Sequence, residues 1–580
     1  MRLQISRSKN SASFYVIKTV YIDGKEKTII VEKLGTYDQL LEKSDGQDPV
    51  EWAKKYVEEL NKKEKEETRE ILVRYAPTKL ISKDERHCFN GGYLFLQQIY
   101  HELKLHKLCK KIAQKYKFKF NLDSILSRLV YGRILFPLSK LGTFEESKKF
   151  IEQPDFDLHQ IYRALEYLAK ETDFIQSSLY KNSLKISKRN TGILYYDCTN
   201  FFFEIEEAKG KRQYGAGKDH KPNPIVQMGL FMDGDGIPLA FSINSGNTNE
   251  QQTLKPLEKK ILSDFELSRF VVCTDAGLSS EANRKFNDKD GRAFITTQSI
   301  KKLKAHLKKW ALDSTGWKLP GREKIYDISK LDEMIEKAND KDKEMLRSQV
   351  FYKERWIKEN DLEQKLIVTY SVRYRDYLRK LRNSQIERAQ KIIDERPGVI
   401  KKSGQNDYKR LIHKTNITSE GEVADKEIYS INTDLIQKEE TFDGFYGVCT
   451  NLDDNVSDII KINHRRWEIE ECFRIMKSEF EARPVYLSRD ERIEAHFITC
   501  FIALVIYRLL EKRLQEQFTC SEIISELREM NFMEIKGEGY VPIYTRTDFT
   551  DALHEAFGFR TDYQIITTSM MKKIFKNTKT

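Results

Sequence analysis

The 580-residue sequence predicts an α/β protein built on a mixed sheet, with a helical region before the sheet and an insertion within it. At residue 192 the pattern changes from amphipathic helix to strand, starting with GILYYDCTNFFFE. The apolar segments PIVQMGLFMD, IPLAFSINSG, RFVVCTDAG and RAFITTQS follow, and the helical segment TLKPLEKKIL lies between the third and fourth strands. A helix that crosses between strands predicts parallel pairing at the centre of the sheet.

The first seventy residues predict a hairpin and a connector. Residues 14–34 alternate between apolar and polar positions around Asp23 and Gly24, which predicts a β-hairpin. The segment 49–70 is rich in Glu and Lys, and this charge density predicts a solvated connector helix.

Residues 88–187 predict short amphipathic helices. One helix is expected to stop before Pro137, and Asp157 and Gln160 have capping-box spacing at the start of another. A basic segment upstream carries seven lysines, Lys104, Lys107, Lys110, Lys111, Lys115, Lys117 and Lys119. These lysines either bind DNA phosphates or only solvate a surface helix, and the sequence leaves both interpretations open.

The strand pattern is interrupted at residues 301–440, which are dense in charge and contain Trp310, Trp317 and Trp356. It resumes at GFYGVCTN (444–451) and is followed by two predicted helices, about Val456–Phe480 and Glu491–Glu516. The predicted domains are a hairpin with its connector (1–70), a helical, DNA-binding region (71–190), a catalytic core (191–300 and 441–525), an insertion domain (301–440) and a C-terminal tail (526–580).

The composition suits an intracellular, mildly basic protein. Lys and Arg number 100 against 89 Asp and Glu, and this excess is compatible with a polyanionic partner without requiring one. Eight cysteines without a C-x-x-C pair argue against a zinc ribbon and indicate reduced thiols. The N-terminus has no apolar signal region, and the apolar stretch 497–510 is too short to span a bilayer. We therefore expect a buried helix there and no membrane partner.

Two aspartates end apolar strands. Asp197 ends ILYYD and Asp275 ends FVVCTD. Carboxyl ends of buried strands face the crevice in which open sheets hold ligands. One such aspartate is usually a helix cap or a turn residue, but two on neighbouring strands indicate a shared metal site, because paired carboxylates repel without a cation.

A third acidic residue lies in the helical segment NHRRWEIEECFRIMKSEF. Arg466, Glu470, Phe473 and Lys477 have i, i+4, i+7 and i+11 spacing, which places them on one helix face. Taken alone, this face also fits a surface ion pair or a solvated charged surface. The other flank is predicted to pack on the core through Ile459, Ile462, Trp467, Ile469 and Met476.

The segments YYDCTNFFFE, VVCTDAG and RRWEIEECFRIMKS together resemble insertion-sequence transposases of the DDE class. The most similar group carries the signature Tyr-x2-Arg-x3-Glu-x6-Lys on its catalytic helix. Arg466, Glu470 and Lys477 match three of its four places, and Asn463 stands at the tyrosine place. The resemblance runs from about residue 10 to residue 520 and includes the loop YGAGKDHKPNP.

This resemblance implies a ribonuclease-H-like core in which Asp197, Asp275 and Glu470 are catalytic and hold two Mg²⁺ ions, with Mn²⁺ as a substitute. One ion would activate a water and the other would stabilise the leaving 3′ oxygen. The freed 3′-OH would then attack target DNA. Arg466 and Lys477 would bind DNA phosphates beside the scissile bond. Each tryptophan of the insertion would either stack on an extruded base or pack in the core, and core packing is the more common role of any single one.

The implied partners are double-stranded DNA, as transposon terminal inverted repeats and as target, and a second copy of the chain in a paired-end complex. The implied location is the bacterial cytoplasm, in association with the nucleoid. Two alternatives remain at this point: a metal-dependent nuclease of the same fold that does not join DNA, and a catalytically inactive, transposase-derived DNA-binding protein.

Overall fold

The computed structural model describes residues 1–8, 11–22, 25–44, 47–67, 71–73, 76–219, 221–395, 407–417 and 426–580. Within it the chain divides into two compact units, Met1–Glu85 and Arg86–Thr580.

The first unit is a three-stranded antiparallel sheet with two helices. Its elements are β1 (Arg2–Arg7), β2 (Ala12–Ile22), β3 (Lys25–Thr36), α1 (Tyr37–Lys43) and α2 (Pro49–Glu67). The predicted hairpin corresponds to β2 and β3, and its turn at Asp23 and Gly24 lies outside the described residues. Strand β1 adds a third strand that the sequence pattern did not predict.

Helix α2 corrects the prediction of a solvated connector. Its Ala53 and Val57 are buried in a small core with Phe14 and Val16 of the sheet. These two apolar residues are four positions apart and therefore lie on one helix face. The surrounding Glu and Lys residues obscured this narrow apolar face in the sequence.

The second unit begins with a short strand and six helices. They are β4 (Cys88–Asn90), α3 (Tyr93–Glu102), α4 (Leu105–Tyr116), α5 (Leu122–Leu135), α6 (Lys140–Ser147), α7 (Leu158–Lys170) and α8 (Thr172–Ser183). As predicted, α5 ends just before Pro137, and Asp157 and Gln160 form a capping box at the start of α7.

Five strands and two helices follow in the predicted order. They are β5 (Ile193–Phe202), β6 (Ile225–Asp233), β7 (Pro238–Ser245), α9 (Leu254–Asp264), β8 (Val271–Thr274), α10 (Glu281–Phe286) and β9 (Ala293–Gln298). Their order in the sheet is β7-β6-β5-β8-β9. Strands β5, β8 and β9 run parallel, which confirms the predicted central pairing, and β6 and β7 are antiparallel to their neighbours.

The region from residue 301 onward extends this same sheet. Its elements are α11 (Ala305–Leu312), β10 (Trp317–Leu319), β11 (Arg322–Tyr326), α12 (Leu331–Lys337), α13 (Asp340–Ser348), β12 (Val350–Glu359), β13 (Leu362–Ser371), α14 (Val372–Glu395), β14 (Ile412–Ile417), β15 (Lys426–Ile431), α15 (Thr433–Glu440) and β16 (Phe445–Thr450). Strand β16 pairs with β9, and β13, β12, β10 and β11 continue outward, so the sheet has ten strands. This pairing satisfies the backbone groups that β9 would otherwise leave open at a sheet edge.

The C-terminal part is mainly helical. It contains α16 (Val456–His464), α17 (Trp467–Arg474), α18 (Asp490–Arg513), α19 (Cys520–Glu529), β17 (Asn531–Ile535), β18 (Gly539–Pro542), α20 (Asp548–Phe557), β19 (Ile566–Thr567) and α21 (Thr568–Thr578). Strands β17, β18 and β19 form a small sheet with β4. The pairing of β17 with β4 connects the C-terminal tail to the start of this unit. The predicted single helix from Val456 to Phe480 is interrupted after His464, and a π-helical turn, Ile475–Glu479, follows α17.

Helix α18 forms the centre of the helical layer and packs on α3, α5, α7 and β7. In the described part of the chain it is the one helix long and apolar enough to cross a membrane, and 94% of its apolar segment is buried inside the protein. Burial on all sides accounts for its apolar sequence, as the sequence analysis predicted for 497–510. All eight cysteines are free thiols, as predicted.

The two faces of the central strands belong to different cores. Tyr195 and Cys273 face the core that contains α16, α17 and α18, whereas Tyr196 and Val272 face the core that contains α9. Side chains alternate between the faces of a strand. The residues that follow Tyr196 on β5 and Thr274 on β8 therefore point toward α16 and α17.

Candidate active site

Asp197 and Asp275 lie side by side on adjacent strands. In the parallel pairing of β5 and β8, Tyr196 is opposite Thr274, so the next residue on each strand is the aspartate. Both carboxylates are half-buried on the face toward α16 and α17. The structure thus brings together the two predicted aspartates, but it corrects the position of one. Asp275 follows the end of β8 as predicted, whereas Asp197 lies in the middle of β5, because the strand continues to Phe202 in its pairing with β6.

Each aspartate is held by a backbone N–H group. The Oδ1 atom of Asp197 accepts from the Cys198 N–H at 2.7 Å, and the Oδ1 atom of Asp275 accepts from the Leu278 N–H at 3.0 Å. Burial raises the pKa of Asp197 to about 6; the charge of Asp275 adds to this effect, and Lys218 opposes it. A second negative charge nearby makes ionisation of a buried carboxylate unfavourable, and a cation between the two would relieve the repulsion.

Arg466 lies at the interruption between α16 and α17, and its side chain is only 18% exposed. Its Nη2 atom is 4.0 Å from the Glu470 Oε1 atom, and its Nε atom is buried without a hydrogen-bond partner in the described structure. Burial would lower the pKa of Arg466, but Tyr446, Asp275 and other anionic or ionisable neighbours outweigh burial and raise it. A buried guanidinium with an unpaired N–H group is suited to bind an anion.

Lys477 approaches the same site from the π-helical turn. Its Nζ atom lies 5.7 Å from the centre of the Phe201 ring on β5. Burial lowers the pKa of Lys477 to about 8, and the charges of Asp219 and Asp197 oppose this shift. The ammonium group is therefore close enough to interact with the first aspartate.

Glu470 is positioned differently from the two aspartates. Its side chain is 61% exposed, on the helix face that also carries Arg466. Phe473, predicted on the same face, is buried. Among the described residues, the three carboxylates do not form a compact group around one point; such a group is formed only by Asp551, His554 and Asp562.

The two carboxylates of the compact group, in α20 and the following loop, are already paired with an arginine. The Arg560 Nη2 atom lies 2.6 Å from the Asp551 Oδ1 atom and 2.5 Å from the Asp562 Oδ2 atom. The Thr561 N–H donates to the His554 Nε2 atom at 3.1 Å, so this nitrogen is engaged as an acceptor. We therefore assign these residues a structural role.

The structure adds residues near the aspartates that the sequence did not assign to the site. Lys218 donates to the Cys198 carbonyl and contributes to the electrostatics of Asp197. Asp219 forms an ion pair with Arg483. Lys218 and Asp219 belong to the loop YGAGKDHKPNP, which is part of the resemblance but received no role from the sequence. His220 of this loop lies outside the described residues.

The prediction for Trp467 is wrong, and for Trp317 the structure decides between base stacking and core packing. Trp467 was expected to pack on the core but is 55% exposed, whereas Ile459, Ile469 and Met476 are buried as predicted. Trp317 is fully buried and donates to the Asp313 carbonyl at 2.9 Å, so it cannot stack on a base. Of the three insertion tryptophans, only Trp356 is exposed.

The basic helix predicted in the helical region is α4. Lys107, Lys110 and Lys111 are exposed on it and form no ion pair with a described residue, whereas Lys115 pairs with Glu171. Residues three and four apart lie on one face of a helix. The three free lysines therefore form a compact basic surface, which is called the α4 lysine face below.

Comparison with known proteins matches the region that contains the two aspartates to a family. The sequence model described as "Transposase DDE domain" matches residues 196–364 and 360–506, which is more than half of the chain. The five predicted site residues, Asp197, Asp275, Arg466, Glu470 and Lys477, all lie within these ranges. No curated protein matches the chain.

Two solved structures are similar at low sequence identity. One is a piggyBac transposase synaptic complex with hairpin DNA, with 8% identity, 84% coverage of each chain and a TM-score of 0.35. The other is the Mos1 transposase paired-end complex with the left transposon end, with 14% identity and a TM-score of 0.13. The second alignment covers 40% of this chain and 64% of the Mos1 chain.

Proposed function

The chain belongs to the transposase DDE domain family, and we propose on that premise that it binds transposon ends, cuts their phosphodiester bonds and joins the 3′-OH ends to target DNA. The observation that supports this proposal best is the pair Asp197 and Asp275, side by side where the parallel pairing of β5 and β8 ends, with the buried Arg466 nearby. The mixed central sheet supports the ribonuclease-H-like core that the resemblance implies.

The carboxylates fit a divalent metal site. Asp197 and Asp275 offer half-buried oxygen ligands of the kind that Mg²⁺ prefers, and their mutual repulsion favours a bound cation. Glu470 would complete the set by turning its exposed side chain inward from the helix above them. Two Mg²⁺ ions, or Mn²⁺ in their place, would supply an activated water and stabilise the leaving oxygen.

The cations of the site suit a DNA backbone. Arg466 presents an unpaired N–H group, and Lys477 is half-buried close to Asp197. Arginine binds a phosphate through two N–H groups, whereas lysine acts as a point charge. We assign both residues to the phosphates that flank the scissile bond.

The metal site is tested by neutral variants. We expect Asp197→Asn, Asp275→Asn and Glu470→Gln each to abolish Mg²⁺-dependent cleavage of a transposon end and to leave DNA binding nearly intact, because each removes an anionic ligand and keeps the side-chain shape. Glu471→Gln, in the same helix but paired with Arg474, is the matched control and should cleave normally. Normal cleavage by any of the three would remove that residue from the metal site.

Cutting and joining require separate assays. A labelled end with a free 3′-OH, supplied already cut, should be joined to a target duplex by the wild-type chain. Cleavage without joining in this assay would indicate a nuclease of the same fold. Binding without either reaction in any divalent metal would indicate a DNA-binding protein descended from a transposase.

A further inference from the structure

A row of side chains continues from the two aspartates across the sheet. Tyr196, Thr274 and Thr296 are paired on β5, β8 and β9, so Asp197, Asp275 and Thr297 follow at the same level. Beside them, β16 pairs with β9 and carries Tyr446. The Tyr446 hydroxyl lies 2.7 Å from the Thr297 Oγ1 atom.

The Tyr446 hydroxyl is anchored a second time from above the sheet. The buried Asn463 of α16 donates through Nδ2 to the Tyr446 Oη atom at 3.2 Å. Asn463 occupies the place where the resembling transposases carry a tyrosine. In this chain, therefore, Asn463 supplies no phenol of its own. Instead it donates a hydrogen bond to the phenol of Tyr446, which lies on β16.

Tyr446 faces both the site and open space. Tyr446 is a neighbour of the buried Arg466, as are Asp275 and Asp197. It also lines a cavity of about 470 Å³ together with Ala276, which follows Asp275, and Thr297. A strand of DNA with a phosphate between Arg466 and the aspartates would pass this hydroxyl.

We propose that Tyr446 is a DNA-contacting residue of this active site, and that Asn463 and Thr297 hold its hydroxyl so that it donates a hydrogen bond to the phosphate bound by Arg466. The phenol accepts from the Asn463 amide, and Thr297 can supply its own proton to the phenol, which leaves the phenolic proton for the phosphate. This inference rests on the proposed function, since it assumes that Arg466 binds DNA.

The test is equilibrium binding of a nicked duplex of arbitrary sequence to the full chain, measured by fluorescence anisotropy over a range of salt concentrations. Tyr446→Phe keeps the ring and removes only the hydroxyl. Loss of one hydrogen bond should weaken binding roughly three- to tenfold. Tyr377→Phe is the control, because Tyr377 is an exposed tyrosine of α14 that does not line the cavity, and it should bind as the wild type does.

The salt dependence separates direct contact from a structural role. A phenol carries no charge, so Tyr446→Phe should leave the slope of log K against log salt unchanged, whereas Arg466→Ala should flatten it by about 0.9. If Tyr446 only held Arg466 in place, Tyr446→Phe would flatten the slope as well. Either that result or wild-type affinity for Tyr446→Phe would overturn the proposal.

A double-variant cycle with Thr297→Val tests the anchoring. If Thr297 acts through the Tyr446 hydroxyl, the loss of affinity in Thr297→Val should be absent when Tyr446 is already Phe. Additive losses would contradict the proposal. Metal-dependent nicking by the wild-type chain tests the proposed function separately. If the wild type nicks DNA but Tyr446→Phe binds with unchanged affinity, only the assignment of Tyr446 fails. If the wild type does not nick DNA but Tyr446→Phe still loses affinity, the proposed enzymatic function fails and the DNA contact of Tyr446 stands.

Discussion

At the scale of single residues, the site depends on which of two adjacent arginines is buried. Arg465 and Arg466 are adjacent in sequence but have opposite environments. Arg465 is 45% exposed and pairs with Glu468 at 2.9 Å, whereas Arg466 is turned inward beside the aspartates. The interruption between α16 and α17 thus separates a surface arginine from a site arginine.

This difference leads to a paired prediction. We expect Arg466→Ala and Lys477→Ala each to weaken binding of a cleavage-site duplex, to slow single-turnover cleavage and to flatten the salt dependence of log K by about 0.9, because each variant leaves one phosphate without its cation. Arg466→Lys should restore activity only in part, since a point charge does not reproduce a two-point grip.

Arg465→Ala is the matched control for this pair of variants. It removes the neighbouring charge from a partly exposed ion pair, and such pairs contribute about 0–1 kcal/mol to the free energy of unfolding. Cleavage and salt slope should therefore stay at wild-type values. An unchanged slope and rate in both Arg466→Ala and Lys477→Ala would remove these residues from phosphate binding, while the carboxylate site could still stand.

At the scale of elements, α4 presents a surface that the catalytic helices do not share. The α4 lysine face, Lys107, Lys110 and Lys111, has no ion-pair partner among the described residues. Clustered cations on one helix face can bind the phosphates of a polyanion. The sequence left open whether these lysines bind DNA or only solvate the helix, and we propose that they bind DNA.

For α4 we predict a loss of affinity for duplex DNA without a change in the cleavage rate. Replacing the three lysines by Gln should weaken duplex binding and flatten the salt slope by about 0.9 for each phosphate that is no longer neutralised. The cleavage rate of the bound complex should not change, because the lysines are not part of the aspartate site. Lys337→Gln, where the lysine already pairs with Glu333 in α12, is the control. Wild-type binding by the triple variant would restore the interpretation of α4 as a solvated helix.

At the scale of the whole molecule, the described part of the family-matched region holds one candidate site, formed around Asp197 and Asp275. Joining two transposon ends to one target with one site per chain requires more than one chain. We propose that a homodimer acts on paired double-stranded ends, in the bacterial cytoplasm.

This proposal predicts the composition of the active complex. Mass photometry of the chain mixed with transposon-end DNA and Ca²⁺ should find two chains with two ends. A catalytically dead Asp197→Asn chain mixed with wild type should inhibit joining of both ends more strongly than dilution does. Complete joining by a complex of one chain and one end would contradict the paired assembly.

Much of the central sheet could be predicted from sequence because its signals are local. Alternation and apolar runs marked β5 to β9, and the helix α9 between strands implied the parallel pairing that the structure has. The two aspartates were found because each follows an apolar run and the two strands are parallel neighbours, although β5 continues beyond Asp197. Spacing predicted Arg466 and Lys477 on one continuous helix, whereas the structure places Arg466 at the start of α17 and Lys477 in the π-helical turn that follows it.

Only the tertiary structure decided which distant segments meet. The region after residue 301 looked separate because its charges break the strand pattern, yet its strands continue the sheet beyond β16. The burial of α2, the exposure of Trp467 and the inward turn of Arg466 depend on neighbours that are remote in sequence. The anchoring of Tyr446 by Asn463 and Thr297 likewise joins three segments of the chain, and local periodicity carries no information about such contacts.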